Sequence, residues 1–138
     1  MTMQVELVSP EHMLWSGEAV RVIARTLGGG DIAFLTGHAP FLGALDVYPV
    51  RILTSEGTEE VAAVHGGFVQ VTGEKITILS DVAELAGQID VDRARAAESR
   101  AEAKVRDTDD AEAVAALARA NARLHAAGAA GASAAAHH

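Results

Sequence analysis

The composition of this chain breaks at Gly87, and the break constrains the fold more than any local motif does. Up to Gln88 the sequence is rich in Val, Ile, Leu and Gly. From Ile89 onward roughly two residues in five are Ala, and large aliphatic side chains become sparse. The first composition favours strands and the second favours helices. The 138 residues therefore read as two units, 1–87 and 88–126, followed by a segment 127–138.

The first unit reads as short strands. Met3-Gln-Val-Glu-Leu7 alternates as a half-buried strand should, and so does Ala19 to Arg25, with Arg21 and Arg25 on one side and Val20, Val22 and Ala24 on the other. Val50-Arg-Ile-Leu-Thr54, Glu60-Val-Ala-Ala-Val64, Phe68-Val-Gln-Val-Thr72 and Lys75-Ile-Thr-Ile-Leu79 are further strands. Turn signals at Ser55-Glu-Gly57, His65-Gly-Gly67 and Thr72-Gly-Glu74 separate them. Strands this short and this close together predict an antiparallel β-sandwich or barrel. A unit of this size buries about 60–65% of its unfolded-chain surface, which supports a modest core.

The second unit reads as an α-helical hairpin. Asp90 is a suitable N-cap for a helix to about Arg106, and Asp107-Thr-Asp-Asp110 is a polar break. A second helix runs to about Leu124, with Gly128 and Gly131 ending it. Val91, Val105, Val114, Leu117 and Leu124 are the only large residues of the apolar face. Since burial contributes about 0.8 kcal/mol per CH₂, an alanine face holds weakly, and the hairpin is expected to be detachable. The last residues, Gly-Ala-Ser-Ala-Ala-Ala-His-His, read as a disordered native tail or the remnant of a purification tag.

Charge and residue types exclude several function classes. Eleven Lys and Arg stand against 19 Asp and Glu, for a net charge of −8. Nucleic acid and anionic lipid both call for a basic surface, which such a chain lacks. The acidity lies on residues 1–88, while most of the arginines lie beyond them. With no cysteine, disulfide scaffolds, Cys-based zinc sites and thiol catalysis are excluded. No secretory signal opens the chain, and no run of about 18 apolar residues spans a membrane. The six histidines are not paired at metal-ligand spacing apart from His137 and His138, so no metal is expected. Phosphate-loop and nucleophile-elbow motifs are absent. Leu27-Gly-Gly-Gly-Asp31 reads as a turn or bulge, because no helix follows to supply aligned N–H groups.

The helical arginines stand out. Arg93 and Arg100 share one face of the first helix, and Arg119 and Arg123 one face of the second. A turn near Thr108 would set Arg93 opposite Arg123 and Arg100 about one turn from Arg119. Four guanidinium groups would then converge beside Glu84 and Asp90. Guanidinium suits bidentate binding of phosphate oxygens. The same pattern also reads as a solvated charged face with Glu98, Glu102 and Glu112 as neighbours.

Leu14-Trp-Ser-Gly17, Gly37-His-Ala-Pro40, Gly66-Gly-Phe-Val69, Ile76-Thr-Ile-Leu79, Glu84-Leu85 and Ile89-Asp-Val-Asp-Arg-Ala94 follow one another in this chain. In that order, before an Ala-rich hairpin, they resemble the epsilon subunit of bacterial F-type ATP synthases, called delta in mitochondria. The resemblance spans about residues 3–125. One departure is Ala33-Phe-Leu-Thr36, where the family usually carries Gly-x-Leu/Ile-Pro.

The resemblance implies a non-catalytic rotor subunit of the central stalk that couples the gamma subunit to the c-subunit ring. It implies a peripheral position on the cytoplasmic face of the bacterial plasma membrane. Asp31 would face the c ring and His38 would lie near gamma; otherwise Asp31 is an ordinary turn residue and His38 a turn-stabilising one. The hairpin would either fold on the sandwich or extend into the alpha/beta catalytic head and block ATP hydrolysis. Some bacterial members bind ATP under the folded hairpin. By that resemblance Glu84 and Asp90 would contact adenine, with Ile89 and Ala94 packed near it. Arg93, Arg119 and Arg123 would contact phosphates, and Arg100 would assist. The competing reading is a stand-alone β-sandwich binding module whose helices serve dimerisation.

Overall fold

The computed structural model describes residues 1–107 and 110–136. The strands are β1 (Met3–Val8), β2 (Met13–Thr26), β3 (Gly30–Leu35), β4 (Phe41–Thr54), β5 (Glu59–Thr72), β6 (Lys75–Leu79) and β7 (Ala83–Leu85). A single 3-10 turn, Ala86–Gln88, leads into helices α1 (Val91–Asp107) and α2 (Ala111–Ala136). The β-sandwich followed by a helical pair agrees with the fold class read from the sequence.

Pairing runs β1-β6-β5-β4-β2-β3, and β1 also pairs with β2, which closes the ladder into a flattened barrel. Strand β2 makes closure possible by pairing twice along one edge. Met13 to Ala19 face β1, and Arg21 to Thr26 face β3, while β4 takes the other edge. The ladder is antiparallel except at one seam, since β1 and β6 pair in parallel from Gln4↔Lys75 to Val8↔Leu79. The expected all-antiparallel arrangement is corrected there: the chain's first strand and its sixth are brought together by closure, not by a hairpin. Val5, Leu7, Val22, Phe34, Ile52, Val64, Val69, Ile76 and Ile78 fill the interior.

The two strands read on either side of His65-Gly-Gly67 are one, β5. His65-Gly-Gly67 does not break the chain; β5 passes through it in unbroken register with β4, from Phe41↔Val71 to Leu53↔Glu59. The glycines instead bend the strand, with φ of 84° at Gly66 and 125° at Gly67. A Cβ on Gly67 would stand 2.0 Å from the Leu79 carbonyl oxygen, so only glycine allows this approach. Ser80 fastens the bend by donating its hydroxyl to Gly66 O at 2.7 Å. Strand β3 went unread. Leu27 to Gly29 form its turn from β2, as the glycine run suggested.

Helix α2 lies across β4 and β5, and α1 packs chiefly on α2. The contact with the sheet is a small cluster: Val61 and Ala63 of β5 against Ala126, flanked by Ala86, Ile89 and Ala129. Strand β5 therefore buries both faces, Ala62 and Val64 inward and Val61 and Ala63 under the helix. The expected apolar face is corrected in detail. None of its large residues is fully buried, and Val114 is 54% exposed. Among the described residues the buried helical ones are alanines: Ala94, Ala101, Ala113, Ala120, Ala122 and Ala126. Small side chains let helices approach closely, and the large ones are left at the rim.

Helix α2 also continues past Leu124. Gly128 and Gly131 do not end it, and residues 127–136 are helical where an unstructured tail was expected. Each glycine costs about 1 kcal/mol against alanine in a helix, and the surrounding alanines are the best helix formers. The hairpin turn near Thr108 and the terminal His137 and His138 fall outside the described residues. Among the described residues no helix is long and apolar enough to cross a membrane.

Candidate functional site

A cleft of about 330 Å³ opens where the hairpin meets the sandwich. It is lined by Glu84 from β7, Gln88 from the 3-10 turn, Asp90 just before α1, Arg93, Ala94, Ala97 and Arg100 from α1, and Arg123 from α2. Local chemistry places each group. Asp90 caps α1, its side chain accepting from the Arg93 N–H at 3.0 Å, and this fixes the first turn that carries Arg93 and Ala94. Arg100 follows two turns later on the same face. Glu84 is set by the β7 ladder, where it pairs with Ala63 of β5.

One carboxylate oxygen organises the wall. Glu84 Oε1 accepts from Arg123 Nε at 2.6 Å and from His65 Nε2 at 3.2 Å. The three residues come from α2, β7 and β5, so the bonds clasp the hairpin to the sandwich. Because the carboxylate can only accept, His65 carries its proton on Nε2. Its side chain is 3% exposed, and among the described residues its Nδ1 has no partner. Burial lowers the His65 pKa below its ordinary 6.5; the Glu84 bond opposes this, and the charges of Arg123 and Arg119 add to it. Burial alone would raise Glu84, but the bonds from Arg123 and His65 and their charges outweigh it and hold the carboxyl below its ordinary 4.5. At neutral pH the clasp is thus an ionised carboxylate between a guanidinium and a neutral imidazole.

Among the described residues Arg93 and Arg100 have no carboxylate partner. The cleft therefore presents two guanidinium groups and a third already engaged, which is donor chemistry suited to phosphate oxygens. Glu84 and Asp90 supply acceptors beside them.

The structure gathers Glu84, Asp90, Arg93, Ala94, Arg100 and Arg123 and leaves two expected residues outside. Arg119 turns along its own helix to Glu112 at 2.7 Å, because the two residues are seven apart on one face of α2. Ile89 packs in the alanine seam beside Ala126. The sequence reading missed His65, which it took as part of a turn. The non-alternating Val61-Ala-Ala-Val64 was the available signal, since a strand buried on both faces would carry His65 under the helix.

Asp31 and His38 lie elsewhere. Asp31 is the second residue of β3 and pairs with Arg25 at 2.9 Å. Arg25 stacks 3.4 Å over the Tyr48 ring, and Tyr48 meets His125 of α2 edge-on at 5.6 Å. This is a second polar and aromatic contact between hairpin and sandwich. His38 donates from Nδ1 to Ala39 O, 2.7 Å away, and packs edge-on to Phe34 at 4.9 Å. At the departing Ala33–Thr36 segment, Thr36 donates its hydroxyl to Met1 O at 3.2 Å, and Gly37 takes a φ of 87° to close the turn.

Two family descriptions cover nearly the whole chain in this order. "ATP synthase, Delta/Epsilon chain, beta-sandwich domain" matches residues 2–86, and "ATP synthase, Delta/Epsilon chain, long alpha-helix domain" matches residues 88–128. The chain belongs to the ATP synthase delta/epsilon family. The ATP synthase epsilon chain of Streptomyces griseus is 51% identical over 92 residues, covering 67% of this chain and 73% of the relative. That of Rhodococcus jostii is 49% identical over 94 residues, covering 67% and 76%. Solved structures share the fold. A chain of the Euglena gracilis mitochondrial ATP synthase (OSCP/F1/c-ring) superposes with a TM-score of 0.80 at 21% identity, covering 91% of this chain and 81% of that one. A central stalk/c-ring chain of the Tetrahymena thermophila mitochondrial enzyme gives 0.58 at 18% identity, covering 94% and 97%. In this delta/epsilon chain the boundary between the two matched domains falls at the 3-10 turn that lines the cleft.

Proposed function

We propose that this chain is the epsilon-type central-stalk subunit of a proton-translocating F-type ATP synthase, non-catalytic in itself. In this reading the sandwich joins a gamma subunit to a ring of c subunits, with Asp31 toward the ring and His38 toward gamma. The subunit sits peripherally at the cytoplasmic face of the bacterial plasma membrane. The observation that carries the reading is that both family domains match, in order, from residue 2 to residue 128.

The hairpin is the regulatory part. Its attachment rests on alanines, the Glu84 clasp and the Tyr48–His125 contact, so its folded state is held by few strong terms. Detached, it would extend into the alpha/beta head and inhibit ATP hydrolysis. ATP would bind the cleft, with phosphates on Arg93, Arg100 and Arg123 and the adenine amine on Glu84 or Asp90. Both the hairpin and the sandwich line that cleft, so a ligand there stabilises the folded, non-inhibiting state by its differential affinity. In this reading ATP acts as a regulatory ligand and is not hydrolysed at the cleft.

Co-expression with the cognate gamma subunit tests the rotor reading. A stable complex purified through a tag on gamma is the expected result. A folded chain that never accompanies gamma would point to the stand-alone binding module instead.

A further inference from the structure

This inference rests on the nucleotide reading of the cleft. The clasp residue that no part of that reading uses is His65. It lies one side chain behind the cleft wall, bonded to the Glu84 oxygen that also holds Arg123. We infer that His65 is a positioning residue of the nucleotide site, acting through Glu84, and that it makes nucleotide binding proton-linked. Binding draws a proton from solvent onto the imidazole, and affinity rises as the solution becomes more acidic.

The argument follows from the charges that face the ring. Glu84 approaches from β7, and Arg123 and Arg119 act from α2. Asp81, before β7, shares with His65 and Ser80 a small pocket of about 190 Å³. Across the ladder β4 opposes it with Val47. In the empty protein, burial and the two arginines keep the ring neutral. A polyphosphate in the cleft changes that balance. Its negative charge neutralises Arg123, or draws the guanidinium off Glu84, and either event leaves Glu84 to stabilise an imidazolium. The proton goes to Nδ1, the buried atom with no partner among the described residues. By linkage, a group whose pKa is higher in the bound state takes up a proton on binding. The effect begins below the bound-state pKa and levels off below the free-state one, which lies under 6.5.

The test is calorimetric titration of the full chain with ATP at pH 7.5, 6.5 and 5.5, in buffers of different ionisation enthalpy, for the parent and His65→Gln. Glutamine keeps a donor for Glu84 and does not titrate. The terminal phosphate of ATP titrates in the same range, but equally for both proteins. The parent should take up more protons per ATP than the variant. The ratio of parent to variant affinity should rise severalfold toward pH 5.5, up to about tenfold per unit of pKa difference between free and bound His65. Equal uptake and a constant ratio would overturn the inference and leave the nucleotide site standing. Absence of ATP binding by the parent at every pH would overturn both. Should the variant not fold, NMR titration of the His65 ring in the parent decides the matter: its pKa should move up with saturating ATP, and an unmoved pKa refutes the linkage.

Discussion

Arg123→Ala isolates the clasp. The substitution removes the 2.6 Å bond to Glu84 and leaves that carboxylate with His65 alone. A hydrogen bond between charged groups contributes about 1.5–3 kcal/mol. The side chains are 28% and 31% exposed, so water screens part of the attraction and replaces part of the bond. An expected cost of about 1–2 kcal/mol follows from that discount. The loss should fall on attachment of the hairpin, because Arg123 stands on α2 and its bond runs to Glu84, which is not part of the core cluster. Native-state hydrogen exchange reads this directly: α2 amides near Ala120 to Ala126 should lose roughly five- to thirtyfold in protection. Amides of Val69 and Ile78 should keep theirs. Equal loss across the sandwich would mean that hairpin and sandwich open as one unit. No loss anywhere would mean the clasp contributes nothing, and either result refutes the reasoning.

Gly67→Ala should destabilise the sandwich by about 2–3 kcal/mol, through its φ of 125° and the Leu79 carbonyl in its path. Gly73→Ala, at φ 58° with open space around it, should cost only about 1 kcal/mol; urea midpoints compare the two. Ala126→Leu overfills the seam against Val61 and Ala63 and should weaken hairpin attachment by about 1–3 kcal/mol, seen as faster proteolysis of α2 and, in an assembled complex, stronger inhibition of ATP hydrolysis. Acid should loosen the hairpin in two steps. His65, with its folded pKa below the ordinary 6.5, binds a proton more readily when exposed, so stability falls as pH drops from 6.5 toward that lowered value. Glu84, held below 4.5, contributes stability above that pH and loses it below. His65→Gln should abolish the first step in a pH series of α2 exchange rates.

The two-part architecture was legible because strand and helix compositions differ so sharply about Gly87. Alternation revealed β1, β6 and parts of β2, β4 and β5. It hid the rest where the chain departs from one buried and one solvated face. Val61 to Val64 is buried on both sides because α2 covers it, and Gly66-Gly67 bends a strand where glycine pairs usually turn one. The parallel seam between β1 and β6 is a product of closure, which no local pattern encodes. In the cleft, helical spacing brought Arg93, Arg100 and Arg123 together correctly. Arg119 escaped because its nearest counter-charge, Glu112, lies on its own helix. His65 was out of reach once its segment was read as a turn. The length of α2 turned on whether two glycines outweigh many alanines, and they do not.

The central claim is that the cleft under the hairpin is a nucleotide site. Calorimetric titration of the parent with ATP, beside Arg93→Ala plus Arg123→Ala, tests it most directly. Saturable binding near one ATP per chain, weakened at least about tenfold in the double variant as two charge-assisted contacts are lost, is the predicted result. A folded parent that binds no ATP at millimolar concentration would contradict it.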